Sequence, residues 1–403
     1  MNMRRWVAEV RVWIDASERV ARLAGECCVM GERYRVPYVD LPGEYASMRE
    51  ELLAAVDAVF SRGAFILREE VTRLEQRLAE RAGVAHAIGL GSGFDALHLG
   101  LIALGIGAGD EVIVPSYTFA ASVSAIVRTG ATPVFCDIGP DLNLDVQDLA
   151  RRITSRTRAI MPVHLSGRPC DLDALHDLAR THTLNIIEDA AQAIGSTHRQ
   201  RWLGSVGQVG CFSLHPLKTL SVGGDGGILL CHDDTIAHTV RTLRDHGRDP
   251  DHPEKQITMM GVNSRLDTLH AAVANLKLDR LPRMIQERQR VVDGYRRALS
   301  GLPSLRLLDA PPHARVAWST FPVIVDAPSL DVAALVAGLR AQGVEAFRHF
   351  ETPVHRLPPF AATSTSLPRT EALCRNTLYL PLHPTVSSEQ VRYVGNVLET
   401  LIS

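Results

Sequence analysis

Phe212-Ser213-Leu214-His215-Pro216-Leu217-Lys218 runs towards the glycine-rich Gly223-Gly224-Asp225-Gly226-Gly227, and Lys218 is one of only three lysines among 43 lysines and arginines. Where arginine is the default cation, a retained lysine is a candidate for chemistry that arginine cannot do. A guanidinium stays protonated, whereas a lysine shielded from water can lose its proton and attack a carbonyl to form a Schiff base. The stretch therefore points towards pyridoxal phosphate, with a plain surface cation as the alternative reading of Lys218. Its surroundings in the sequence decide between the two.

Around this stretch, from about residue 85 to 232, short apolar runs alternate with helical patterns, the signature of an α/β domain with a mostly parallel sheet. Strands are expected at 85–90, 111–115, 132–137, 158–163, 184–188, 209–213 and 227–231, with helices starting near Phe94, Thr118, Asp145 and Asp171. An amphipathic helix over 266–281 leads out of this domain. Beyond it come an arginine-rich helix at 284–299, a strand at 318–325, a helix at 331–342 and a proline-punctuated stretch at 349–384. These fit a smaller α+β unit packed on the first. The expected division is an extension over 1–35, a large domain over 36–281 and a small C-terminal domain over 282–403. Within the extension, Trp6, Val10, Trp13 and Ile14 fall at helical spacing, and a translation start at Met30 is the alternative.

A chain of 403 residues is too long for one ordinary core, and 46% apolar content supplies material for two packed units. The formal charge of −2 provides no basic face for nucleic acid and no polybasic membrane anchor. Seven cysteines, odd in number and without metal-ligand spacing, read as reduced thiols of a cytoplasmic protein. No apolar run approaches the roughly 20 residues that span a bilayer. Small-molecule chemistry is the class that remains.

Four further segments carry chemistry. Gly89-Leu90-Gly91-Ser92-Gly93-Phe94-Asp95-Ala96-Leu97 follows an expected strand and opens an expected helix, where small residues let backbone N–H groups close on a phosphate. Glycine also serves tight turns for backbone reasons alone. Glu188-Asp189-Ala190-Ala191-Gln192 ends an apolar strand at the edge where open α/β sheets hold ligands. A carboxylate there can pair with a pyridine nitrogen and make the ring an electron sink. Asp189 is the better partner, with a helix N-cap as its bland role. Pro115-Ser116-Tyr117-Thr118-Phe119 offers an aromatic face to a planar cofactor, or simply core packing. Ser213, five residues before Lys218, has a hydroxyl to donate to a phosphate. Each feature is unremarkable alone, but all fall at the same end of successive strands in the order phosphate turn, aromatic, acid, serine and lysine.

With these motifs the chain resembles the DegT/DnrJ/EryC1/StrS family of sugar aminotransferases, within the aspartate-aminotransferase-like, fold-type I enzymes. The resemblance runs from Val36 to the C-terminus. Its most specific pieces are Glu188–Gln192, Ser213–Lys218, Gly226-Gly227 and Gly261-Val262-Asn263-Ser264-Arg265-Leu266-Asp267. It implies an α/β large domain with a seven-stranded sheet, a smaller α+β C-terminal domain and pyridoxal 5′-phosphate (PLP) as cofactor. It further implies that Lys218 carries PLP as a Schiff base, that Asp189 pairs with the pyridine nitrogen, that Gln192 lies near the ring hydroxyl and that Phe119 stacks on the ring. The phosphate would be held in the Gly93 turn by the N–H groups of Phe94 and Asp95, by Ser213, and by Asn263 from a second subunit of a homodimer. Two departures stand out: Phe94 replaces a frequent threonine, and Asp225 precedes the double glycine where many members have glutamate.

The implied reaction moves an amino group from L-glutamate or L-glutamine to a keto group of a nucleotide-linked deoxysugar, in antibiotic or polysaccharide pathways. Ser92–Leu97 and Gly224–Gly227 look most like the branch that aminates C-3. Keto-cyclitols form an alternative substrate class, and a non-catalytic regulator on the same fold is a second class of protein. Lys218 argues against the dehydratase branch, in which histidine takes its place.

Overall fold

The computed structural model describes residues 34–252, 254, 256–361 and 365–403. The helix expected near Trp6 and the start at Met30 lie outside them. Two helices, α1 (Leu41–Arg62) and α2 (Glu69–Ala82), precede the sheet. Strands and helices then alternate as β1 (His86–Leu90), α3 (Gly93–Ala103), β2 (Glu111–Pro115), α4 (Ala120–Arg128), β3 (Thr132–Cys136), α5 (Val146–Arg152), β4 (Thr157–Ile160), α6 (Leu172–His182) and β5 (Asn185–Asp189). The short pair β6 (Thr197–His198) and β7 (Arg201–Trp202) follows, and then β8 (Val209–Ser213), β9 (Gly227–Cys231) and α7 (Asp234–Arg244).

The main sheet has seven strands in the order β1-β9-β8-β5-β4-β2-β3. Only β9 runs against the rest, because it pairs antiparallel with both β1 and β8 while the other pairings are parallel. Strands such as β2 and β9 are buried along their whole length, as expected for a sheet covered on both faces. Successive side chains alternate between those faces. Ile113 joins a core with α2 and α6, whereas Val112 and Val114 join a core with α3, α4 and α7. Aspartates cap the starts of α5 and α6, where Asp145 and Asp171 accept backbone N–H groups two or three residues on. The strand expected to reach 163 stops at Ile160, and Val163 makes only an isolated bridge to Asp189. Pro162 has no N–H with which to continue the ladder.

One helix, α8 (Thr268–Leu299), spans 32 residues with Pro282 inside it, where two helices were expected. Proline costs the carbonyl of Leu278 its partner, but packing holds both halves in line. Leu278, Leu281 and Ile285 sit in the large-domain core, and Val291, Val292, Tyr295 and Leu299 in that of the C-terminal lobe. The expected boundary at 281/282 thus falls inside α8. The remaining elements are β10 (Leu305–Leu307), β11 (Ala314–Arg315), β12 (Phe321–Val325), α9 (Val332–Ala341), α10 (Pro368–Asn376), β13 (Thr377–Leu380) and α11 (Ser388–Ile402). Strands β10, β12 and β13 form an antiparallel sheet, and β11 joins β6 and β7 in a third. Val36 pairs with Val344 and is wholly buried in the C-terminal lobe, so the chain touches that lobe before it builds the large one. Among the described residues no helix is long and apolar enough to cross a membrane.

Candidate active site

Because β1, β2, β5 and β8 run in one direction, their carboxyl ends share an edge of the sheet, and β9 begins there. The register sets Gly227 opposite both Leu90 and Ser213. The turn after β1 therefore packs directly on the end of β8. A Cβ on Gly93 would lie 2.8 Å from the Ser213 Cβ, and one on Gly227 only 2.1 Å from the Ser92 carbonyl oxygen. Neither position accepts a side chain without moving backbone.

Ser92 caps α3, its hydroxyl accepting the Asp95 N–H at 3.1 Å. The Asp95 N–H, expected at the phosphate, thus meets the Ser92 hydroxyl in this structure. The N–H groups of Gly93 and Phe94 remain, in a first turn where the helix supplies no acceptor. The Asp95 carboxylate accepts the hydroxyls of Ser92 and Ser264 at 2.9 and 2.8 Å, and Ser264 accepts the Gly91 N–H at 3.0 Å. The segment carrying Asn263 is thereby fastened to the turn, with Asn263 itself exposed and its backbone bridged to Asp245. The Phe94 ring stacks on His98.

Along the same edge, Asp189 is 5% exposed. One carboxylate oxygen accepts the Ser122 hydroxyl at 2.7 Å and the other the Ala191 N–H at 3.1 Å. Ser122 also lies 2.8 Å from the Thr118 hydroxyl, so the start of α4 is tied to Asp189. This places Phe119, the residue before α4, beside the acid with 70% of its surface open. Its flat face is available for stacking on a planar ring. Gln192 is oriented through its amide oxygen, which accepts the Ser166 N–H at 2.7 Å and the Ser319 hydroxyl at 3.4 Å. Its NH₂ group is left as a donor.

Lys218 and Lys277 are chemically different lysines. Lys277 is buried against Glu44 at 2.7 Å and the Ser221 hydroxyl at 2.8 Å. Lys218 has no such ion pair among the described residues. Burial pushes its ammonium below the ordinary lysine value, against the opposing pull of the Asp189 charge. The second acid of the motif, Glu188, faces away from this chemistry and is fully buried. It accepts the N–H groups of Gly204, Val206 and Gly207 at 2.6–2.7 Å and lies 2.8 Å from His164 Nε2. His164 Nδ1 accepts the Cys170 N–H at 3.2 Å, so Nε2 carries the ring proton and donates to Glu188.

A cavity of about 560 Å³ opens beside Lys218, walled by Val39, α1, α8 and the His383–Thr385 segment. Residues that the sequence reading missed lie near Lys218. Tyr38 lies 2.6 Å from His349 Nε2, and burial together with the Lys218 charge pushes the His349 imidazole down to about 4. Arg288 also lines the wall. Ser122, Tyr38, Arg288 and His349 lie on separate segments, and spacing along the chain gives no sign that Ser122 meets Asp189 or that Tyr38 meets His349.

An anion fits the N–H groups of Gly93 and Phe94 at the start of α3, a flat ring fits the open face of Phe119, and an aldehyde fits a desolvated amine. Those demands together are met by PLP, and the fold with this edge defines a fold-type I, PLP-dependent aminotransferase. A family model for the DegT/DnrJ/EryC1/StrS aminotransferases matches residues 46–399. The chain belongs to the DegT/DnrJ/EryC1/StrS aminotransferase family. It is 39% identical over 373 residues to a dTDP-3-amino-3,4,6-trideoxy-α-D-glucose transaminase from Streptomyces venezuelae, covering 91% of this chain and 97% of that one. The crystal structure of S. venezuelae DesV in complex with a ketimine intermediate superposes with a TM-score of 0.87 at 38% identity, over 92% of this chain and 99% of the other. Ntda from Bacillus subtilis, solved with bound cofactor PMP, gives a TM-score of 0.85 at 27% identity, over 93% and 86%.

Proposed function

We propose that this enzyme transfers an amino group from L-glutamate to a keto group, at C-3, of a nucleotide-linked deoxysugar. The observation that carries the reading is a desolvated Lys218 that lies close enough to the buried Asp189 to feel its charge. The transaminase from S. venezuelae, named for a dTDP-linked 3-amino sugar, supports the substrate class and the carbon. L-Glutamine in place of L-glutamate, and a keto-cyclitol in place of the sugar, are the alternatives.

PLP, when bound, supplies the carbonyl that takes up the amino group and the ring that delocalises the electrons left behind. The protein supplies placement and protons. Lys218 would anchor the cofactor and, as a free amine, would serve as general base and then acid for the proton at the reacting carbon. Its lowered affinity for a proton suits the base role. Asp189, fixed by Ser122 and Ala191, would face the pyridine nitrogen. Gln192 would present its NH₂ group to the ring hydroxyl, and Phe119 would close one face of the ring to water. Gly93, Phe94 and Ser213 would hold the phosphate, with the dipole of α3 behind them.

Asn263 is assigned to the phosphate of a second subunit, which makes the enzyme a homodimer with shared sites. Support comes from its exposed apolar neighbours, Met260 at 96%, Ile257 at 63% and Val262 at 38%. Five buried, unpaired cysteines among the described residues support a cytoplasmic location. The reading is tested by the visible spectrum of the purified enzyme before and after L-glutamate. A PLP band that bleaches to the pyridoxamine form supports it, bleaching by L-glutamine alone reassigns the donor, and a band that no amino acid alters overturns it.

A further inference from the structure

The cavity beside Lys218 contains a charge without a partner. Arg288, on α8, is 7% exposed and lines the same cavity as Lys218. Its Nη1 donates to the carbonyls of Leu382, Trp318 and Ser319 at 3.0, 3.2 and 3.3 Å. Carbonyls satisfy N–H groups but leave the positive charge unneutralised. Among the described residues no carboxylate pairs with Arg288, and Nε is buried without any acceptor. Burial pushes the guanidinium down to about 10, with Glu44 and Tyr38 opposing.

Every neighbouring cation on this wall other than Lys218 has its acid. Arg280 pairs with Glu51 at 2.6 Å, Arg283 with Glu287 at 2.9 Å, and Glu44 is taken by Lys277 at 2.7 Å. Asp40 is engaged by the Gly43 N–H and the Thr385 hydroxyl at 2.9 and 3.0 Å. Buried charges in proteins are ordinarily paired, because an unpaired one costs several kcal/mol. A guanidinium held through Nη1 keeps Nη2 as a donor for a carboxylate.

We propose that Arg288 binds a carboxylate of the amino-acid donor, completing its ion pair only when the donor occupies the cavity. The inference rests on the proposed transamination with an amino-acid donor. One buried guanidinium matches one negative charge, and the buried Met48 and Met284 nearby suit a short methylene chain. The diphosphate of a nucleotide sugar matches less well, since Arg280 and Arg283 already carry their acids.

The test uses the PLP-loaded full-length enzyme and glutarate, a dicarboxylate with no amino group to transfer. Calorimetric affinity for glutarate is measured beside the affinities for dTDP and UDP. Arg288→Gln is expected to weaken glutarate by roughly thirtyfold or more, as truncating one partner of a buried charge pair does, while the nucleotides change less than threefold on the order of experimental scatter. Arg288→Lys should recover part of the loss. Unchanged glutarate affinity overturns the assignment, and so does an equal loss for the nucleotides, which moves Arg288 to the diphosphate or to a purely structural role. Should Arg288→Gln not fold, the wild-type enzyme decides with glutaramide, the uncharged diamide. Binding as tight as glutarate's overturns the proposal, and a loss of roughly thirtyfold supports it. Bleaching of the wild-type band by L-glutamate is scored separately, so failure at Arg288 is distinguishable from failure of the transaminase reading.

Discussion

Phe119→Ala separates a cofactor platform from a core residue. With 70% of Phe119 exposed, about three-tenths of the side chain is buried in the protein itself. Full burial of a phenylalanine contributes about 1.5–3 kcal/mol, so truncation should cost the apoenzyme only about 0.5–1 kcal/mol. Removing an aromatic platform from beneath a flat heterocycle costs about 1–3 kcal/mol. At roughly 1.4 kcal/mol per factor of ten, PLP affinity should fall roughly five- to 150-fold. Urea denaturation of the apoenzyme gives the first quantity, and fluorescence titration of the apoenzyme with PLP gives the second. The effect should therefore be larger on binding than on folding. Apoenzyme destabilised by more than about 2 kcal/mol with unchanged PLP affinity would refute the reasoning and make Phe119 a packing residue.

Three further outcomes follow from the same geometry. Glu188→Ala strips a buried charge from three N–H groups and His164, so the apoenzyme should lose about 3–5 kcal/mol in denaturant melts; a loss below about 1 kcal/mol would contradict its role as a clamp. Because the Lys218 ammonium is held below 10.5, the unfolded chain binds more protons than the native one between the lowered value and 10.5. Its contribution to stability thus rises with pH through that window, and recombination of apoenzyme with PLP should accelerate with a midpoint below 10.5. A midpoint at or above 10.5 would count against desolvation. Gly227→Ala drives a methyl into the Ser92 carbonyl, which should weaken PLP binding in the same titration, and unaltered binding would show that the turn is not the phosphate site.

The sheet was legible because its strands are buried on both faces, and an unbroken run such as Val112-Ile113-Val114 announces itself. Helix starts were legible where an aspartate caps them, as at Asp145 and Asp171. Pro162 and Pro282 misled in opposite directions. The first ended a strand earlier than its apolar run suggests, and the second failed to end a helix anchored in two cores. At the site, Lys218, Asp189 and the Gly93 turn could be read because each chemistry requires one residue type next to a recognisable strand end. Ser122, Tyr38, His349 and Arg288 could not, since serine, tyrosine, histidine and arginine serve many ordinary purposes and only the fold brings Ser122 to Asp189 and Tyr38 to His349. The Asp95 N–H illustrates a subtler limit, in that a helix first turn suggests free donors and only the Ser92 side chain shows that one is taken.

The central claim, that Lys218 holds PLP covalently, is tested most directly by reducing the purified enzyme with borohydride and mapping its peptides by mass spectrometry. One phosphopyridoxyl group on the peptide bearing Lys218, and none after L-glutamate is added before the reductant, is the predicted result. Label on Lys277, or no label on any lysine of a PLP-saturated enzyme, would contradict it.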